Sequence, residues 1–181
     1  MRMRALFGLL ALVTASVSAS PALAALKEGA KAQNFTTQAA QAGKPFAFTL
    51  SEALKKGPVV LYFFPAAFTH GCTMEAREFA EATPEFAKLG ATVIGLAKDD
   101  IGKLAKFSVE ECRNKFAVGV ATPSIIKGYD VALPLIGRTG RVSYVIAQNG
   151  QIVYAHSEMN YRGHMTGTMA AVKALKATRG K

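Results

Sequence analysis

Cysteine is nearly absent from this 181-residue chain, which has two, at positions 72 and 112. Nothing ahead of Cys72 can therefore carry a lipoprotein's lipid. The stretch Cys72-Thr73-Met74-Glu75 also lacks the close second cysteine of a Cys-x-x-Cys thiol–disulfide exchange site, and the paired cysteines of a copper-delivery site are missing. Long basic runs are missing too. The net charge is +10, but Lys55-Lys56 is the longest run and no aromatics are interleaved with it, which argues against a nucleic-acid partner. There is no internal repeat, low-complexity segment or interdomain linker, and 181 residues, half of them hydrophobic, suffice for one domain with a full core.

The amino terminus reads as a leader. Met1-Arg2-Met3-Arg4 is a basic start, positions 5–15 are apolar, and Ala22-Leu23-Ala24 is a small-x-small site, so cleavage is expected after Ala24. Residues 1–24 are then a signal peptide and residues 25–181 a single domain. Removing the leader takes away two arginines and no acid, which lowers the net charge to +8. An uncleaved anchor over positions 5–26 is the alternative, interrupted by Thr14, Ser16, Ser18, Ser20 and Pro21. The leader implies the periplasm, an oxidising compartment, with no stable membrane association.

What is present centres on one stretch. Val59-Val60-Leu61-Tyr62-Phe63-Phe64 is short, β-branched and aromatic, bounded by Gly57-Pro58 and Pro65, and reads as a buried central strand. From Thr73 to Leu89 apolar residues recur at helical spacing, with Glu75 and Glu78 placed in the expected first turn. Cys72 thus falls where a strand hands over to a helix. Free N–H groups and the positive pole of the helix stabilise an anion there, which makes Cys72 a candidate nucleophile.

Around this centre the pattern predicts a hairpin from Phe35-Thr36-Thr37 and Phe46 to Leu50, and a capped short helix at Ser51-Glu52-Ala53-Leu54. Then follow a strand Ala91 to Ala97, a helix Ile101 to Lys115, a strand Ala117 to Ala121 and a short helix near Ser124 to Tyr129. A loop from Leu133 to Arg138 leads to strands Arg141 to Ala147 and Gln151 to His156 joined by Asn149-Gly150, and a helix Gly163 to Ala177 closes the chain. The expected class is α/β, a mixed central sheet with helices on both faces and an N-terminal β-hairpin.

Pro65, Thr69 and Cys72, spaced Pro-x-x-x-Thr-x-x-Cys after such a strand, resemble the peroxidatic motif of the peroxiredoxins. Arg141-Val142-Ser143-Tyr144 resembles that family's later strand, where an arginine precedes Thr or Ser by two residues and then an aromatic. The strand and helix between the two blocks are similar to those of the bacterioferritin comigratory protein, or peroxiredoxin Q, group. The resemblance implies a thioredoxin-like fold of peroxiredoxin type and a thiol-dependent peroxidase. It implies a peroxide substrate, an exported thiol reductant, no cofactor and a monomer or weak dimer.

By the same resemblance Cys72 is the nucleophile, Thr69 bonds the sulfur or the peroxide, Arg141 stabilises the thiolate and the developing charge, and Pro65 shields the site. Arg138 is the rival to Arg141. Glu75 either orients the arginine or only complements the helix dipole. Many members carry a resolving cysteine five residues after the first, where Arg77 stands here; others place it in the next helix, which points to Cys112 and a Cys72–Cys112 disulfide. A free Cys112 with an outside resolving thiol, or a non-catalytic binding or chaperone module of the same fold, are the alternatives. His70 is read as a loop residue. His156, His164, Met159, Met165 and Met169 are read as structural, with no metal expected.

Overall fold

The computed structural model describes residues 25–179; the leader expected over residues 1–24 lies outside them. A hairpin of β1 (Thr36–Gln41) and β2 (Lys44–Thr49) comes first, followed by α1 (Leu50–Lys56), β3 (Val59–Phe63) and α2 (His70–Lys88). Next come β4 (Thr92–Ala97), α3 (Ile101–Glu110), β5 (Ala117–Val120) and α4 (Pro123–Gly128). Two short strands, β6 (Ala132–Leu133) and β7 (Arg138–Thr139), precede β8 (Val142–Ile146), β9 (Ile152–Ser157) and α5 (His164–Arg179).

The main sheet has the order β2-β1-β5-β4-β3-β8-β9. Strands β3, β4 and β5 are parallel, as βαβ crossovers require, and β8 and β1 join them antiparallel on either side. Every residue of β3 is buried, because helices cover both faces of this central strand. Val59, Leu61 and Phe63 join the core that holds residues of α1 and α4. Val60, Tyr62 and Phe64 face the opposite core, with residues of α2, α3 and α5 and with both cysteines. Tyr62 stacks on Phe79 with centroids 4.4 Å apart, and Phe64 on Phe107 at 5.4 Å. A Cβ at position 95 would stand 2.5 Å from the Tyr62 ring, so glycine in β4 is what admits it.

The fold class agrees with the sequence expectation, and four local readings change. First, α2 starts at His70 rather than Thr73, so Cys72 is the third residue of the helix and His70, read as a loop residue, opens it. Its first turn has no acidic residue, and Glu75 lies a turn further in. Second, α3 stops at Glu110, short of Lys115, because Arg113 and Asn114 adopt left-handed φ values of 50° and 62°. Third, the two ends of the expected loop from Leu133 to Arg138 belong to paired strands, with Leu133 opposite Arg138. Fourth, α1 is not capped from within: its N-cap Thr49 makes no side-chain cap bond, and the Asn34 side chain accepts from Ser51 N–H instead.

Candidate active site

Beyond β3 the chain leaves the sheet held from several sides. Phe64 N–H still reaches Leu96 O at 3.1 Å, while Phe64 O accepts from the Thr139 hydroxyl at 2.7 Å. Pro65 ends the ladder, and its carbonyl accepts from Arg138 Nη1 at 3.5 Å. Ala67 N–H donates to the buried carboxylate of Asp99, which also pairs with Lys103 and Arg138. Phe68 is left-handed, with φ 68°, a conformation that costs a non-glycine residue about 1–2 kcal/mol. Its ring packs edge-on against Phe107, 5.2 Å away. Thr69 takes the N-cap position of α2 without capping it; its hydroxyl donates to Ala66 O at 3.0 Å.

This loop delivers Cys72 to a buried position, 1 % exposed, at the first turn of α2. Opposite it, Arg141 precedes β8 and is 4 % exposed. The guanidinium is held on three sides. Nε donates to Met159 O at 3.0 Å, Nη1 to Glu75 Oε2, and Nη2 to Cys72 Sγ at 3.5 Å. A Cβ at Gly71 would stand 3.2 Å from Nη2, so glycine there keeps the approach open. Arg138, the rival in sequence, is exposed and occupied with Asp99 and the Pro65 carbonyl.

Glu75 is wholly buried, and burial pushes its carboxyl up to about 8 against the opposing pull of Arg141. Of the two roles open to it in sequence, the structure sets it on the arginine. Its other oxygen, Oε1, has no hydrogen-bond partner among the described residues and lies 3.8 Å from His164 Nδ1. That histidine opens α5, shares a 2.8 Å hydrogen bond with Ser143 Oγ and another at 2.9 Å between Nε2 and Glu158 O. Ser143 and His164 were not among the residues expected at the site. Helical position cannot reveal that His164 meets a strand 21 residues earlier, although a lone histidine at a helix start is the signal.

Burial pushes His164 down to about 4, so the ring is neutral when folded but charges near its ordinary 6.5 when unfolded. The unfolded chain thus binds the extra proton, and the stability present above pH 6.5 is lost as pH falls towards 4. By linkage this is worth up to roughly 3 kcal/mol. His164→Gln is therefore expected to flatten the fall of unfolding free energy between pH 6.5 and 4, measured by urea titration at several pH values. An unaltered slope would contradict this assignment.

Cys112 lies just past α3, fully buried in the same apolar cluster as Cys72, and both are free thiols. Burial pushes the Cys112 thiol well up, so it stays protonated in this state. Pro65, Thr69, Cys72 and Arg141 therefore frame one end of β3, while Cys112 sits below the surface beside α2. Met165 and Met169 pack against the core, and Met159 is exposed.

The sequence model of the AhpC/TSA family matches residues 29–155. The chain is similar to the chloroplastic peroxiredoxin Q of Oryza sativa subsp. japonica, 32 % identical over 157 residues that cover 83 % of this chain and 68 % of the rice protein. It is 28 % identical to peroxiredoxin Bcp of Xanthomonas campestris over 122 residues, covering 64 % and 76 %. Among solved structures, peroxidoxin BcpB from Mycobacterium tuberculosis superposes with a TM-score of 0.73 at 32 % identity, covering 83 % of this chain and 98 % of that one. The reduced 2-Cys peroxiredoxin of Plasmodium vivax, 20 % identical with a TM-score of 0.75, shares the fold.

Proposed function

This chain belongs to the AhpC/TSA family, and on that premise we propose that Cys72 is its peroxidatic thiolate and that Cys112 resolves the product. The protein is a peroxiredoxin, a thiol-dependent peroxidase acting on a peroxide with a thiol reductant. The observation that carries the assignment of Cys72 is the buried Arg141 guanidinium, with Nη2 on the sulfur and Nη1 on Glu75.

The chemistry follows from that geometry. The Cys72 thiolate attacks one peroxide oxygen, the S–O bond forms as the O–O bond breaks, and the second oxygen leaves as hydroxide or alkoxide and takes up a proton. Negative charge moves from sulfur to the leaving oxygen during the step. A fixed guanidinium beside the sulfur serves both ends of that movement because its charge is permanent and its donors form a rigid fork. Glu75 and the Met159 carbonyl position it rather than react. The Thr69 hydroxyl, donating to Ala66 O, keeps its lone pairs for the peroxide proton, and Pro65 limits water at the mouth.

The sulfenic acid left on Cys72 is then condensed with the Cys112 thiol to a disulfide and water, and an exported dithiol reduces it. Export rests on the leader-like residues 1–24, and a protein recovered from cells still starting at Met1 would overturn cleavage after Ala24. A monomer or weak dimer completes the proposal.

Intact mass and peptide mapping of the reduced protein after one equivalent of hydrogen peroxide tests the chemistry. The expected result is rapid loss of two hydrogens with a crosslinked Cys72–Cys112 peptide. One oxygen added at Cys72 alone would assign resolution to an outside thiol, and no reaction would overturn the assignment of Cys72.

A further inference from the structure

The turn that holds Cys112 is fastened on both sides to the helix that carries Cys72. Ahead of it, Glu111 Oε2 accepts from Arg77 Nε at 2.8 Å; after it, Arg113 Nη1 donates to Glu81 Oε1 at 3.0 Å. Arg77 and Glu81 are four residues apart in α2, one turn, so they share a face. The signs alternate on both partners. Reversing the pairing would set Arg113 against Arg77 and Glu111 against Glu81, so the two pairs together accept one register.

The fastened segment is under strain. Arg113 and Asn114, with φ of 50° and 62°, hold a left-handed conformation that an arginine disfavours. It is retained by Cys112 N–H on Phe107 O at 3.1 Å, Asn114 N–H on Ser108 O at 3.0 Å, and two long bonds from Gln41 Nε2. Cys112 itself is fully buried and protonated while the turn stays shut. A thiol in that state is a poor nucleophile, and it must be freed before it meets another sulfur.

We propose that Arg77–Glu111 and Glu81–Arg113 form an ionic latch that keeps the Cys112 turn closed on α2, and that its opening delivers Cys112 to the oxidised Cys72. This rests on Cys112 being the resolving thiol. The four latch residues are positioning residues: they hold the turn and exchange no bond in the reaction, and the Glu111 carboxylate beside Cys112 adds to the burial that keeps its thiol protonated. In the closed state the sulfenic acid stays beside Arg141, open to a second peroxide that would carry it to sulfinic acid. In the open state Cys112 loses its proton and its sulfur attacks that of Cys72; the S–S bond forms, the S–O bond breaks, and hydroxide leaves with the proton as water. The latch thereby sets the partition between recycling and overoxidation. Arg77, Arg113 and Glu81 are 43 %, 49 % and 67 % exposed, so salt weakens it.

The test uses the R77Q/E81Q double variant of the full mature chain, reduced, mixed with peroxide and quenched in acid for mass spectrometry. Sulfenic acid should form at the unaltered rate, which also reports a folded site, while the Cys72–Cys112 disulfide forms about three- to tenfold faster. At tenfold excess peroxide the variant should gather less sulfinic acid. In the unaltered protein 0.5 M sodium chloride should speed the disulfide step, and in the variant it should not. The charge-swapped pair Arg77→Glu with Glu111→Arg should restore the slow rate. An unchanged disulfide rate in R77Q/E81Q, with the crosslink forming in both proteins, overturns the latch and leaves Cys112 as the resolving thiol. No crosslinked peptide from the unaltered protein overturns both.

Discussion

Cys72→Ser is expected to lower peroxide turnover with a dithiol reductant by more than about 10⁴-fold, to background. The two side chains are close in size and the position is buried, so the fold should survive. What changes is the nucleophile: a serine hydroxyl is a weak nucleophile without a base to activate it, whereas the sulfur of cysteine is soft, polarisable and intrinsically far more nucleophilic. Cys112→Ser makes the contrast. It should keep the first, stoichiometric reaction with peroxide and lose only the crosslink. Peroxide consumption measured alongside circular dichroism checks both, and a folded Cys72→Ser protein that still turned over would refute the role of Cys72.

Arg141→Gln should lower the second-order rate constant for peroxide by about 10²–10³-fold, the usual cost of removing one fixed donor from a developing oxyanion. It should also cost stability, because Glu75 loses its partner. Removing one member of a buried ion pair typically costs about 3–5 kcal/mol if the other stays charged. Here the cost should fall towards acid pH, since burial already pushes the Glu75 carboxyl up to about 8 and its protonated form is the one the core accepts. Denaturant titration at pH 6 and pH 9 should show the deficit larger at pH 9. The double variant with Glu75→Gln separates the two effects: stability should recover and the rate should not. Recovery of the rate would mean that Arg141 acts only as a structural partner.

Much of this was legible in the chain because the decisive patterns are local. A buried strand needs only a run such as Val59 to Phe64, a hairpin only Asn149-Gly150, and a site at a strand–helix junction only Pro65, Thr69 and Cys72. Charge meeting across the fold was another matter. Glu75 reads as a residue of the first helical turn when the helix is started three residues late, and no local period shows that it meets an arginine 66 residues further on. The end of α3 was hidden for a similar reason: Arg113 and Asn114 carry no glycine to announce a left-handed turn, so periodicity ran on to Lys115. The pairing of Ala132–Leu133 with Arg138–Thr139 was lost because two-residue strands leave no period to detect.

Leu26 bears on the life history of the chain. Its N–H donates to the Tyr144 hydroxyl at 3.0 Å, and its side chain and that of Ala25 pack against the core, two residues beyond the proposed processing site. A peptidase draws its substrate into an extended groove, several residues to each side of the bond it cuts. With Leu26 held on Tyr144 of β8 and Ala25 packed on the core, the proposed bond after Ala24 would be presented in usable form only while the domain is still open. Under the proposed export, processing would therefore precede folding, and the amino terminus would close over the sheet only after the cut.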